Sequence, residues 1–366
     1  MTESNGILTG VTQQDVLNLL NDGIYDSSVC GRYDIVKEFR FPTLRRDFSE
    51  PDPEFNDCVV NIILWGRWEF YKWAYLSILS AYNNTDISRF KVRMFVRRDM
   101  ESSNKISTIR TLFEPLGVEV REEDFLFKYS VVNLQEERYQ IVLDADTLLI
   151  NGKYPIFENL YRLLKDSPGF YSAAPDESWY SSQRINICHE NTILGEFQSV
   201  KEYWDEKDNL GFSENKFSSI LDENLTDWSW NIFYGFDREI FNDPRWELHQ
   251  RECEEINWWD DEGAFQLYLW SKGEKVKFLR DLFDVSVPTK NAMDYNDFNV
   301  RETYPDVLAF ESPTADYING GQHKFTILHP TNWSWMLDRG LMISLFTKII
   351  SESSSEFSLS GPPNLI

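Results

Sequence analysis

The sequence predicts an α/β fold, with a mostly parallel central sheet flanked by helices and an Asp-x-Asp motif at a strand end. Three observations predict it. The apolar runs Cys58 to Trp65 and Ile141 to Leu143 are rich in β-formers and lack polar alternation, as strands covered on both faces do. Stretches with apolar residues at helical spacing separate such runs, which is the pattern of βαβ units. The second run then ends in two carboxylates, Asp144 and Asp146, and open α/β sheets bind ligands at the carboxyl ends of their strands.

In chain order, residues 1–56 read as an arm or linker, with a helix over Thr12 to Asn21 and a Pro-rich stretch from Phe39 to Asp57. The main domain spans 57–345. It opens with the strand 58–65, closed by Gly66, and a helix carrying Trp68, Tyr71, Tyr75, Ile78, Leu79 and Tyr82 on one face. A strand at Phe90 to Val96 follows, then a helix from Ser103 to Leu116, stopped by Gly117, and a short strand Val118 to Val120. Beyond the acidic strand come a helix at Tyr154 to Leu164, a strand at Phe170 to Pro175 and an extended stretch from Trp228 to Phe236. A helix at Asn257 to Trp270 opens on acids that complement its dipole. Late strands are expected at Val276 to Leu279 and Phe325 to Leu328. The tail, 346–366, is low in complexity from Ser351 and is expected to be mobile.

Composition narrows the partners. A formal charge of −24 argues against nucleic-acid backbones and anionic membrane surfaces, and an anionic small ligand would need a metal or a few placed Lys and Arg. The 13 Trp, 17 Tyr and 26 Phe exceed what a minimal core needs; most belong in the core, yet their flat faces also suit sugars and bases. Cys30, Cys58, Cys188 and Cys253 are far apart, which suggests neither a zinc site nor a disulfide framework. No signal-peptide pattern opens the sequence and no apolar run approaches the ~18 residues of a membrane span. A cytoplasmic protein of undetermined oligomeric state is expected.

In extended backbone, Asp144 and Asp146 project to the same side while Ala145 faces away. Paired carboxylates at an apolar strand end repel each other and resist desolvation, so they require a cation, a shared proton or open water. A hard divalent cation answers this most directly. A solvated acidic turn is the plainer alternative.

Five segments, from Val59 to Asp338, resemble the GT-A fold of nucleotide-sugar glycosyltransferases, with its Rossmann-type sheet, and in particular the glycogenin and lipopolysaccharide galactosyltransferase family. These are the opening strand and helix with Ser77 to Ser80, VLDADTLLI, GFYSAAPDE at 169–177, NIFYGFDREIF at 231–241 and ILHP at 327–330. In the fourth, three residues separate Asn231 from Gly235 where the family has one. The resemblance implies a Mn²⁺ or Mg²⁺ held by Asp144, Asp146 and His329, with a UDP-sugar as donor and a glycan, protein or lipid as acceptor. The imidazole tilts the choice towards Mn²⁺. By the same resemblance Asp144 also touches the ribose, and Lys128, Asp176 and Asn231 lie along the donor, with Lys324 a second basic candidate. Asp260, Asp261 and Glu262 fall where the family faces the acceptor. If the enzyme inverts, Asp261 is the general base; if it retains, as the resemblance implies, an acid there orients or stabilises the oxocarbenium. His323 is a reserve metal ligand, and His189 and His249 sit in no motif.

Two other classes fit parts of the pattern. Asp144, Asp146 and Thr147 match the Asp-x-Asp-x-Thr of HAD-type phosphatases, with Asp144 as nucleophile, Asp146 as acid/base and Asp260 and Asp261 as a later metal pair. Against this, such a motif opens its domain, whereas here βαβ structure precedes it. The third class is a nucleotide-sugar or glycan-binding protein without turnover.

Overall fold

Four parallel strands standing side by side set the frame, within a seven-stranded sheet. The computed structural model describes residues 41–46, 50–64, 70–98, 104–125, 128–175, 229–242, 246, 268–269, 276–288, 313–321, 324–329, 339–356 and 358–359. The first half contains β1 (Leu44–Arg45), β2 (Cys58–Leu64), α1 (Phe70–Asn84), β3 (Lys91–Arg97), α2 (Ile106–Phe113), β4 (Val118–Glu123) and β5 (Tyr139–Leu143). Then come β6 (Leu148–Ile150), α3 (Ile156–Asp166), β7 (Phe170–Pro175), β8 (Ser229–Asp237), β9 (Lys277–Phe278) and α4 (Leu279–Leu282). The last elements are α5 (Pro313–Asn319), β10 (Thr326–Leu328), α6 (Arg339–Glu356) and β11 (Ser358–Leu359). The sheet order is β4-β3-β2-β5-β8-β7-β9, in which β4, β3, β2 and β5 run parallel, β8 is antiparallel to both β5 and β7, and β9 is parallel to β7. The sheet is therefore mixed and mostly parallel. Among the described residues no helix is long and apolar enough to cross a membrane.

Alternate side chains of each central strand serve two cores, which is why the sequence shows unbroken apolar runs. Val60, Ile62 and Leu64 of β2 join Ile141 and Leu143 of β5 in the larger core, under α1, α2 and α3. Ile63, Phe95 and Val142 face the other way, into a smaller aromatic core with Tyr234, Phe236, Trp246 and Tyr268. Of the helix expected at Asn257 to Trp270, only Tyr268 and Leu269 are described; they are helical and buried in this second core. The helix expected at Thr12 to Asn21 lies outside the described residues.

The second face also buries charge. Arg93 of β3, 4% exposed, bonds to Glu137 at 3.0 Å, to Glu119 at 2.8 Å and to Gln135. Gln135 donates to Asn61, which donates to Gln140 on the neighbouring strand at 2.8 Å. Buried ions are tolerated when paired and hydrogen-bonded in this way. Burial alone would raise the Glu137 carboxyl; hydrogen bonds from Arg93 and Lys91 outweigh it and hold it down at about 2.

At the C-terminal end, α6 runs through Glu356 and β11 pairs with β1, Leu44 opposite Leu359. Phe346 packs edge-on against Trp73 of α1, Asn83 donates to the Ile349 carbonyl at 3.0 Å, and Ser353 donates to Asn83. One serine of that stretch, Ser353, is tied to a helix formed some 270 residues earlier, which the local composition does not reveal.

Two outcomes are expected. Glu137→Gln strands Arg93 with less compensation and lowers stability by about 3 kcal/mol or more, read from urea melts. Because the folded pKa lies below the unfolded value of 4.5, the stabilisation from Glu137 is complete above about pH 4.5 and is lost as pH falls towards about 2, so that part of the acid limb flattens in the variant. Gly235→Ala places a Cβ 2.9 Å from Leu160 Cδ2 and 3.2 Å from Leu164 Cδ1 on α3. Overpacking of that kind costs about 1–3 kcal/mol, and an unchanged melting midpoint would show that α3 yields freely.

Candidate metal centre

Strand β5 stops at Leu143, and the acidic pair lies in a tight turn, not in the extended backbone that the spacing suggests. Thr147 N–H donates to the Asp144 carbonyl at 3.1 Å, closing the turn. The Ile232 carbonyl of β8 holds both of its ends, accepting from Asp144 N–H at 2.9 Å and from Thr147 Oγ1 at 3.1 Å. The carboxylates thus converge through a turn anchored by the antiparallel neighbour strand.

The turn leads into β6, which is held on both sides. On one edge it pairs antiparallel with β10, with Leu148 opposite Leu328. The next residue of that partner, His329, therefore lies beside the turn, with Nε2 2.9 Å from Asp146 Oδ1. On the other edge, side chains of α1 replace a strand. Leu149 N–H donates to Ser80 Oγ at 3.0 Å, and Asn84 Nδ2 donates to the Leu149 carbonyl at 3.0 Å. Ser77 Oγ reaches the Asp144 carbonyl at 3.5 Å. The resemblance marks Ser77 to Ser80; sequence reasoning does not find the bonds by which Asn84, Thr147 and Ile232 hold this turn and strand, because their partners lie far along the chain.

One ligand atom from each of Asp144, Asp146 and His329 lies within 4.8 Å of the others. Asp146 and His329 are buried and Asp144 is partly open. Lys128, at the start of the 3-10 turn Lys128–Leu134, places Nζ 3.3 Å from Asp144 Oδ1 and 3.4 Å from Oδ2. Burial pulls the imidazole of His329 down, but the adjacent Asp146, with Asp144 behind it, outweighs burial and raises it above its ordinary value. The pair of acids thus faces a pair of basic groups. Two carboxylates and one imidazole suit a divalent ion of the Mn²⁺ type, with coordination positions left for a ligand.

The remaining predicted residues divide plainly. Asn231 is buried on β8, donating to Tyr129 Oη at 2.7 Å and accepting from Ser172 Oγ at 3.2 Å, and so ties three segments together beside the anchoring Ile232. Lys324 pairs with Asp284 on the surface. Asp176, Asp260, Asp261, Glu262, His323, His189 and His249 lie outside the described residues.

Ser80→Ala removes the acceptor for the buried Leu149 N–H. A loss of about 1–3 kcal/mol is expected, measured by thermal melts in EDTA; full stability would mean that α1 does not hold β6.

No protein-family model matches the chain, and no curated protein matches it in sequence. Three solved structures illustrate what it is similar to. The mannosyltransferase Ktr4p from S. cerevisiae is 10% identical, with a TM-score of 0.38, over 74% of this chain and 85% of that one. Core-mannan synthase A from Aspergillus fumigatus, in its Mn/GDP form, is 13% identical, with a TM-score of 0.36, over 65% and 78%. The galactosyltransferase LgtC, in complex with donor and acceptor sugar analogues, is 11% identical, with a TM-score of 0.36, over 65% and 78%. Likenesses of this extent leave the reading of the centre to its own side chains.

Proposed function

We propose that the chain is a metal-dependent glycosyltransferase that moves a hexosyl group from a nucleoside-diphosphate sugar, with UDP as the carrier, to a carbohydrate-type acceptor. The convergence of Asp144, Asp146 and His329 at the end of β5, with Lys128 on Asp144, carries this reading. Those three residues would hold Mn²⁺ or Mg²⁺. A cation bound there stabilises, as a Lewis acid, the negative charge that grows on a departing diphosphate.

The transfer breaks the bond from the anomeric carbon to the diphosphate oxygen and makes one to the acceptor oxygen. The acceptor proton goes to Asp261 if the configuration inverts, or to the leaving diphosphate oxygen if it is retained, which is the outcome we favour from the resemblance. Asp144 is assigned a contact to the ribose, Lys128 and Asn231 places along the donor, and Asp176 the sugar hydroxyls. Asp260 and Glu262 are assigned, with Asp261, the role of meeting the acceptor. Lys128 supplies positive charge where a chain of −24 otherwise repels a diphosphate. The HAD-type alternative gives His329 no part, although it contacts Asp146 directly.

The test needs no acceptor. Hydrolysis of a panel of nucleotide sugars is followed with Mn²⁺, with Mg²⁺ and with EDTA, for wild type and Asp146→Ala. Release of nucleoside diphosphate that needs metal and falls about 100-fold or more in the variant is expected, the equivalent of about 2.7 kcal/mol of lost transition-state stabilisation. Cleavage of a generic phosphomonoester in place of any nucleotide sugar would overturn the proposal.

A further inference from the structure

The geometry points to Lys128 as an internal counter-cation that occupies Asp144 until a diphosphate draws it away, so that the divalent ion and the diphosphate bind as a coupled pair. This rests on the proposed metal and nucleotide-sugar centre and specifies how that centre loads.

Four observations carry it. First, Nζ sits almost equally far from the two Asp144 oxygens, 3.3 and 3.4 Å, so the ammonium spans the carboxylate and does not touch one corner alone. Second, both side chains are mostly enclosed, 17% and 16% exposed, so solvent screens the pair far less than it would a surface ion pair. Third, Asp146 has a separate contact, His329 Nε2 at 2.9 Å from its Oδ1, so the ammonium of Lys128 bears on Asp144. A cation entering alone therefore meets an ammonium on one of its ligands. Fourth, the turn that carries Lys128 is held in place, and the contact to Asp144 is made at the end of a long side chain. The 3-10 turn that Lys128 opens is pinned through buried Tyr129, which accepts from Asn231, and through buried Val131. The flexible four-carbon stem can then carry the ammonium from one anionic partner to another without moving the backbone.

A diphosphate offers such a partner. Its oxygens would accept from the ammonium and so release Asp144, with Asp146 and His329, to hold the metal, whose charge would in turn favour the diphosphate. Each ligand thereby removes an obstacle to the other, and by linkage the enhancement is equal in both directions.

The test uses the full chain and Mn²⁺ alone, titrated by EPR of the free ion, in wild type, Lys128→Met, Lys128→Arg and Asp146→Ala. Circular dichroism checks that each variant folds. Lys128→Met is expected to bind Mn²⁺ alone about tenfold more tightly than wild type, Lys128→Arg to stay near wild type, and Asp146→Ala to lose binding. Repeating the titrations with saturating UDP, corrected for the Mn·UDP complex in solution, should tighten Mn²⁺ binding in wild type and much less in Lys128→Met. Unchanged or weaker Mn²⁺ binding in Lys128→Met, with Asp146→Ala still defective, would overturn the role of Lys128 and leave the metal centre standing. Absence of Mn²⁺ binding in every form, with and without UDP, would overturn both.

Discussion

Two like charges brought within reach of one cation drift apart unless the backbone beneath them is fixed. In this chain that backbone is the turn at 144–147 and the three residues of β6 that follow it. A three-residue strand has almost no stability of its own, and it persists only because each edge is satisfied: by β10 on one side and by Ser80 and Asn84 of α1 on the other. β10 is itself braced, because Ile327 N–H donates to the Ser286 carbonyl at 2.9 Å and Ser286 N–H donates to the Phe325 carbonyl at 2.8 Å. The placement of His329 is thus inherited from a ladder of backbone bonds. The imidazole is not aimed by local sequence; it arrives because its strand has one register.

The sheet that carries the turn is specified by more than apolar content. Its larger core is built from interchangeable aliphatic and aromatic contacts that tolerate many arrangements of similar volume. On the second face, Arg93, Glu137, Gln135, Asn61 and Gln140 bond across β2, β3 and β5, and a one-residue slip of any of these strands would leave buried charge unmatched. The polar chain ends near Lys128 and Tyr129, so the segment that supplies the ammonium to Asp144 borders the region where register is most tightly enforced.

Much of this was legible. Strands β2, β3, β5 and β7 lie where the apolar runs place them, because doubly covered strands leave a strong local mark. The acidic pair and the late strand are read from residue type and position, whereas the part given to His329 comes from the resemblance. The turn was not, since two carboxylates two residues apart look alike in a strand and in a turn, and the deciding bonds come from Ile232. The start of α3 was displaced for a similar reason: its first N–H groups, Phe157 and Glu158, are capped by Asp86, some 70 residues earlier. The serine-rich end of α6 reads as low complexity and folds because α1 receives it.

The contact between His329 and Asp146 spans 183 positions of sequence. Synthesis therefore delivers the acids long before the imidazole, and β6 must wait through that interval with one edge uncovered. During that time the chain holds two carboxylates on an incomplete scaffold, while α1 lacks the cover later supplied by α6. Closure of so long a loop is slow compared with forming the local βαβ units. The parallel half of the sheet can assemble early; the centre that it supports is one of the last things the molecule acquires.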